Sequence, residues 1–209
     1  MDHTSPSHHV FDKPLLRREM RRKRRALSPL QQKNAAQRLK STLTLSPLFN
    51  SSQHIAIYLA NDGEIDPVLL ITKLWKSKKR CYLPMLHPTK KNCLWFYLYT
   101  PKTILKKNKF GIYEPSIKNK IRLSPWALNL VLFPLVAFDS QGGRLGMGGG
   151  FYDRTFEFTQ TDKSKAIGSR TRLYGLAHHF QQLESIPVEK WDIPLQGIAT
   201  DKQLFLTHK

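Results

Sequence analysis

Acidic residues are scarce in this chain: 15 Asp and Glu stand against 34 Lys and Arg, a formal net charge of +19 over 209 residues. Such an imbalance points to an anionic partner, either a polyanion or a charged small substrate drawn in by a positive surface. Cysteine is nearly absent. Cys81 and Cys93 form no CxxC and cannot make a disulfide framework, so both read as structural thiols buried in strand-like segments of a cytoplasmic protein. Only His87 stands near them in sequence, which argues against a metal site there. Long apolar runs are missing too. The longest, residues 130–138, is interrupted by Pro134 and is far too short to span a bilayer. Residues 1–12 lack the charged-then-apolar order of a secretory signal and read as a disordered leader. There is no internal repeat, and no zinc, RRM or KH pattern.

What is present is enough apolar material for one body. Hydrophobic residues make up 40 % of the chain, with four tryptophans, so residues 13–209 read as a single domain able to bury a sizeable core. Residues 13–40 carry a partial apolar stripe at helical spacing, entered through Pro14 and broken at Ser28-Pro29, where Ser28 can cap a second helix. Residues 54–60, 80–85, 94–99, 128–138, 173–177 and 196–201 read as strands. Residues 66–78 and 151–158 read as helices, and 103–125 as mostly loop. Strands alternating with helices predict an α/β fold: one three-layer sandwich with a mostly parallel, mixed sheet and an N-terminal helical extension. In such sheets ligands collect beyond the carboxyl ends of the strands.

Glycine is sparse outside one place. Six of the 11 glycines fall within residues 142–150, directly after the apolar strand. A cluster like this implies backbone shapes closed to other residues or a close approach to a ligand. Consecutive N–H groups in such a loop form an anion-binding concavity, and a helix start at Phe151 also favours negative charge. Arg144 before the loop's core and Asp153 after it suit a phosphate with its metal. Neither the P-loop consensus nor the G-x-G-x-x-G fingerprint is met. A flexible linker is the competing reading, but the flanking apolar strand and the Phe-Tyr-Asp-Arg that follows speak against it.

The run from Gly143 to Arg154, GRLGMGGGFYDR, resembles the signature of the 5-formyltetrahydrofolate cyclo-ligase family. Other segments resemble that family in the same order: KPLLR at 13–17, LANDGEI at 59–65, KFGIYEP at 109–115 and PVEKWD at 187–192. The likeness covers nearly all of the chain after residue 12 and is of the bacterial type, with Met147 and Gly149 where some relatives carry basic residues and Phe151 where some carry Tyr. It implies a reaction in which 5-formyltetrahydrofolate and MgATP give 5,10-methenyltetrahydrofolate, ADP and phosphate. The formyl oxygen is phosphorylated, and N-10 then closes the ring as phosphate leaves.

The resemblance implies roles for particular residues. Lys13 and Arg17, one helical turn apart, would meet ATP. So would Arg144, Leu145, Gly146, Met147, Gly148, Gly149, Gly150, Phe151 and Tyr152, with backbone N–H groups on the phosphates and the Arg144 guanidinium in bidentate contact. Asp153 and Asp192 would hold Mg²⁺, which usually takes one or two carboxylates besides phosphate oxygens. Glu64 would accept the pterin's amino and ring N–H donors, with Leu59, Met147, Phe151 and Tyr152 as apolar walls. Trp95 and Phe110 are weaker candidates for those walls and read more readily as core. By residue type alone, Lys13 and Arg17 are equally a solvated basic face, Asp192 a turn or cap, and Glu64 a helix-start acid. The folate could carry a polyglutamate tail. Two other readings stay open at this point. The run at 17–25 allows a nucleic-acid-binding protein, and the sheet alone allows another small-molecule enzyme.

Overall fold

The computed structural model describes residues 11–116, 118, 121–162 and 168–207; residues 1–10 of the predicted leader lie outside that range. Helix α1 (Lys13–Arg25) begins at Asp12, whose Oδ1 accepts from the Leu15 N–H at 2.9 Å. Pro14 sits in its first turn and four basic residues in its last, where the helix dipole favours them. Phe11, just before it, packs on a small cluster of Met20, Val136, Ala137, Leu145 and Ile186. The helical stretch expected over 13–40 is therefore two helices, broken where Ser28-Pro29 indicated. Helix α2 (Pro29–Thr44) starts on a reciprocal capping box between Ser28 and Gln31. A short α3 (Pro47–Ser51) leads to β1 (His54–Ala56), followed by α4 (Val68–Lys76), β2 (Arg80–Leu86) and β3 (Leu94–Leu98).

Residues 103–125 hold more structure than their sequence suggested: β4 (Leu105–Lys107) and β5 (Tyr113–Pro115) form a hairpin, and β6 (Arg122–Leu123) pairs with β3. Leu-Lys-Lys and Tyr-Glu-Pro carry no apolar alternation, so the pattern gave no strand there. The strand expected over 128–138 divides into β7 (Leu130–Pro134) and β8 (Ala137–Phe138). β8 leaves the main sheet to pair antiparallel with β9 (Arg144–Leu145). Helix α5 (Phe151–Phe156), β10 (Arg172–Ala177), β11 (Gly197–Thr200) and β12 (Leu204–Leu206) complete the chain.

The main sheet runs β12-β11-β10-β7-β1-β2-β3-β6. Its centre, β11 to β2, is parallel, while β12, β3 and β6 pair antiparallel at the margins. Alternate residues face opposite layers. Ile55, Leu130, Leu132 and Leu176 pack with Leu39 and Leu43 of α2, Phe49 of α3 and Leu70 of α4. Ala56, Val131, Phe133 and Leu173 pack with Phe156 of α5 and with Ile193 and Leu195. This is the three-layer α/β sandwich expected, with α2 contributing to a layer rather than standing outside it. Strand order reverses between β1 and β7, so the chains leaving those two strands diverge and open a crevice. Among the described residues, no helix is long and apolar enough to cross a membrane.

Candidate active site

The crevice is a cleft of about 1650 Å³, lined by Leu59, Asn61, Asp62 and Glu64 beyond β1, by β9 and the loop after it (residues 144–153), by the face of α1, and by the segment 189–193. Small-molecule pockets are usually about 300–1,000 Å³, so this one has room for two ligands side by side. Every residue singled out from the sequence lines it: Lys13, Arg17, Leu59, Glu64, Arg144 to Asp153 without a gap, and Asp192.

The glycine-rich loop is fastened from below by a residue the sequence did not single out. Asp139 is buried, and its carboxylate accepts from Gln141, Gly143 and Ile186 N–H groups at 2.8–2.9 Å. A Cβ on Gly143 would collide with that carboxylate and lie 3.0 Å from the Ile186 carbonyl. Because Asp139 is tied by three bonds it cannot yield, so Gly143→Ala is expected to destabilise the protein by about 1–3 kcal/mol, read as a lowered Tm. An unchanged Tm would show that the clasp gives way cheaply.

Above the clasp, the loop's carbonyls are held and its N–H groups are not. Arg17 Nε donates to the Gly146 carbonyl at 2.8 Å, Asn92 Nδ2 to that of Gly149 at 2.8 Å, and the Arg154 N–H to that of Gly150 at 3.0 Å. A trans peptide puts the next N–H opposite each carbonyl. Among the described residues, the N–H groups of Gly146, Met147, Gly148, Gly149 and Gly150 donate to nothing. Gly148 and Gly150 have positive φ, at 91° and 64°, as the glycine cluster implied.

Arg144 differs from expectation. Its fork is already engaged, with one arm on Asp153 Oδ1 and the other on the Ile193 carbonyl, and its side chain is 8 % exposed. It therefore braces Asp153 against the 189–193 segment, where bidentate phosphate contact had been expected. The Ile193 N–H also reaches Asp153 Oδ1, at 3.4 Å. Asp192 accepts the Glu189 N–H at 2.9 Å, closing a turn, and Glu189 accepts from Lys13 Nζ at 2.9 Å. No cluster of three or more metal-ligating side chains exists among the described residues. Asp153 and Asp192 each keep a carboxylate oxygen without a hydrogen-bond partner, which fits an ion that takes the rest of its shell from phosphate and water.

At the other end, Glu64 is 11 % exposed. Its Oε2 accepts the Asn61 N–H at 3.0 Å. Burial raises its pKa to about 7, against the opposing pull of Arg24. Tyr152 stacks on Phe133 at 4.5 Å, nearly parallel. Burial first, and nearby Glu64 second, push its phenol well up, so it stays neutral. Phe110, read as core, is 55 % exposed and meets Phe151 edge-on at 6.0 Å. It sits at the tip of the β4–β5 hairpin, so its environment comes from a fold the local pattern did not reveal. Trp95 packs on His87 and Arg122 at the sheet margin instead.

A large cleft at the switch point of a mostly parallel sheet, with unpaired backbone N–H groups at one end and a buried carboxylate beside aromatic rings at the other, is the place where α/β enzymes bind small molecules. The chain belongs to the 5-formyltetrahydrofolate cyclo-ligase family, whose model matches residues 10–201. It is 40 % identical over 186 residues to the 5-formyltetrahydrofolate cyclo-ligase of Escherichia coli strain K12, covering 89 % of this chain and 98 % of that one. It is 42 % identical over 183 residues to the Haemophilus influenzae protein of the same name, covering 88 % and 94 %. The solution structure of Aquifex aeolicus 5,10-methenyltetrahydrofolate synthetase superposes with a TM-score of 0.77 at 30 % identity, covering 94 % of this chain and 93 % of that one.

Proposed function

We propose that this protein uses ATP to convert 5-formyltetrahydrofolate, with or without a polyglutamate tail, to 5,10-methenyltetrahydrofolate, releasing ADP and phosphate in the cytoplasm. The observation that carries the reading is the run of five unpaired N–H groups from Gly146 to Gly150 in a cleft that also holds Glu64. An amide oxygen is a poor leaving group, and phosphorylation makes it a good one. The transfer asks mainly for alignment and charge neutralisation.

The glycine N–H groups bind the phosphates, and Arg17, held on the Gly146 carbonyl, adds positive charge beside them. Lys13 exchanges Glu189 for a phosphate oxygen. Asp153, kept in place by Arg144, and Asp192 would hold Mg²⁺, which supplies neutralisation of charge on the transferred phosphoryl group. Glu64 accepts the pterin's paired donors. Leu59, Met147, Phe151 and Tyr152 enclose the flat ring and keep water from the activated formyl group.

Mixing the protein with MgATP and 5-formyltetrahydrofolate should generate the methenyl absorbance. Its absence, or its appearance without ATP, would overturn the reading. Glu64 also sets a pH dependence. A carboxylate titrating near 7 is protonated below that value and then offers the pterin one acceptor fewer. The folate KM is therefore expected to rise as pH falls through about 7, with the ATP KM flat.

Within the basic run at 17–25, Arg21, Arg24 and Arg25 turn onto Asp62, while Arg22 and Lys23 face solvent.

A further inference from the structure

The arginines of α1 end in an arrangement that the reaction scheme leaves unused. Lys13, Arg17, Arg21 and Arg24 fall four, four and three residues apart, on one helix face, and all four line the cleft. At the far end Arg24 is 1 % exposed. Its Nε donates to the Asp62 carbonyl and its Nη2 to Asp62 Oδ2, both at 2.7 Å. The same Nη2 lies 3.8 Å from Glu64 Oε1 and 4.0 Å from Met147 Sδ. Nη1 is buried and has no partner among the described residues. Arg21, at 2.7 Å, and Arg25 close on the same Asp62 carboxylate. Three guanidinium groups thus share one carboxylate, and the nearest other acid is Glu64.

The backbone between the two acids is fixed just as tightly. Gly63 has φ of 74°, and a Cβ there would lie 2.7 Å from the Arg24 carbonyl oxygen. The Gly63 carbonyl faces Gln32 Nε2 at 3.1 Å and His178 Nε2 at 3.2 Å. As a source of stability this is poor design, since a buried guanidinium with an open arm is costly compared with an apolar side chain. It is well suited to aiming a neighbour.

We propose that Arg24 is the positioning residue of the folate end of the site: clamped by Asp62, its guanidinium holds the Glu64 carboxylate in the cleft as the anionic acceptor of the pterin donors. The proposal rests on the reading of Glu64 given above. The groups facing Glu64 are Arg24 and Arg21 from α1, Asp62 from its own loop, Tyr58 from the segment after β1, Tyr152 from α5, and His178 behind Gly63. Of these, only the arginines carry fixed positive charge, and Arg24 is the stronger influence. Without it, Glu64 stays buried beside Asp62 with less to oppose burial, and its titration moves to higher pH.

The test is Arg24→Met, with KM for folate and for ATP measured from about pH 6 to about pH 9. If the titration moves up by about one pH unit, the ionised share of Glu64 at pH 7 falls from about one half to about one eleventh, so the folate KM at neutral pH should rise about fivefold, approach about tenfold at the acid end and return to the parent value toward the alkaline end. The ATP KM should stay within about twofold of the parent. A folate KM raised equally at every pH, a parallel rise for ATP, or no change at all would overturn the proposal. Should Arg24→Met fail to fold, Asp62→Asn carries the test. It releases the clamp and leaves the Arg24 charge in place, but it also removes a negative charge that raises the Glu64 titration, a change that alone would lower the folate KM at neutral pH; a higher folate KM with the ATP KM unmoved is therefore the effect of the lost clamp, and an unmoved or lowered folate KM refutes the clamp. Glu64→Gln in parallel separates the two layers: if it leaves folate binding intact, the pterin reading of Glu64 has failed, whatever Arg24 does.

Discussion

Glu64→Gln raises the KM for 5-formyltetrahydrofolate about a hundredfold and leaves that for ATP within about twofold, on the basis that hydrogen bonds to a charged group contribute about 1.5–3 kcal/mol each. The substitution keeps the shape of the side chain and turns one acceptor into a donor. The pterin edge presents donors there, so one bond is lost and a buried N–H is set against another. The Asn61 N–H that Glu64 accepts in the resting site is close enough to show whether the loop survives. If it does, thermal stability does not fall. Stability should even rise at neutral pH. A carboxylate whose folded pKa is raised to about 7 binds its proton more tightly in the folded state, so ionisation erodes stability between the ordinary carboxylate range and about pH 7. Glutamine has no such loss. Steady-state kinetics with each substrate varied in turn, together with a melting curve, check both halves. Equal losses for folate and ATP would remove Glu64 from the pterin.

Asp153→Ala lowers kcat by about 10²–10³, the scale on which losing one preorganised electrostatic contact usually registers. Two causes act together. The carboxylate assigned to Mg²⁺ is gone, and Arg144 loses the partner that neutralises it while its other arm stays on the Ile193 carbonyl. A nearly buried cation without its counter-ion is strongly destabilising, so the alanine variant should also melt at lower temperature. Asp153→Asn separates the two causes, because its amide oxygen still accepts from Arg144. Its Tm should lie close to the parent's while its kcat remains depressed, most severely at limiting Mg²⁺. Normal turnover of Asp153→Asn at limiting Mg²⁺ would remove the metal role and leave Asp153 as a structural partner of Arg144.

The legible parts of the site were those written in local covalent geometry. Ser28-Pro29 ended one helix and began another because proline and a capping hydroxyl act within three residues. The strand before the glycine cluster was evident from an apolar run, and Pro134 within it marks where the chain leaves the main sheet. The glycines themselves announced positive φ values and unpaired N–H groups. The segment 103–125 was opaque because its strands are three residues or fewer and polar, which is why Phe110, a weaker wall candidate, reads as core from the sequence although it lines the cleft. Arg144 was assigned to phosphate by its chemistry, a reasonable inference from residue type. Which partner occupies its fork depends on where Ile193, 49 residues away, comes to rest.

By itself the chain's sequence determined the layered α/β architecture and the glycine-rich loop, since propensity, pattern and backbone freedom operate over a few neighbouring positions, while the roster of residues around that loop followed from the family resemblance. The tertiary structure alone decided how those residues are held. Lys13 meets Glu189 across 176 positions. Three arginines of α1 converge on Asp62, and Asp139 draws Ile186 beneath the loop. The reason is geometric: charged and hydrogen-bonding groups act over a few ångströms of space, and which groups come that close is settled only when the sheet brings the ends of distant strands together.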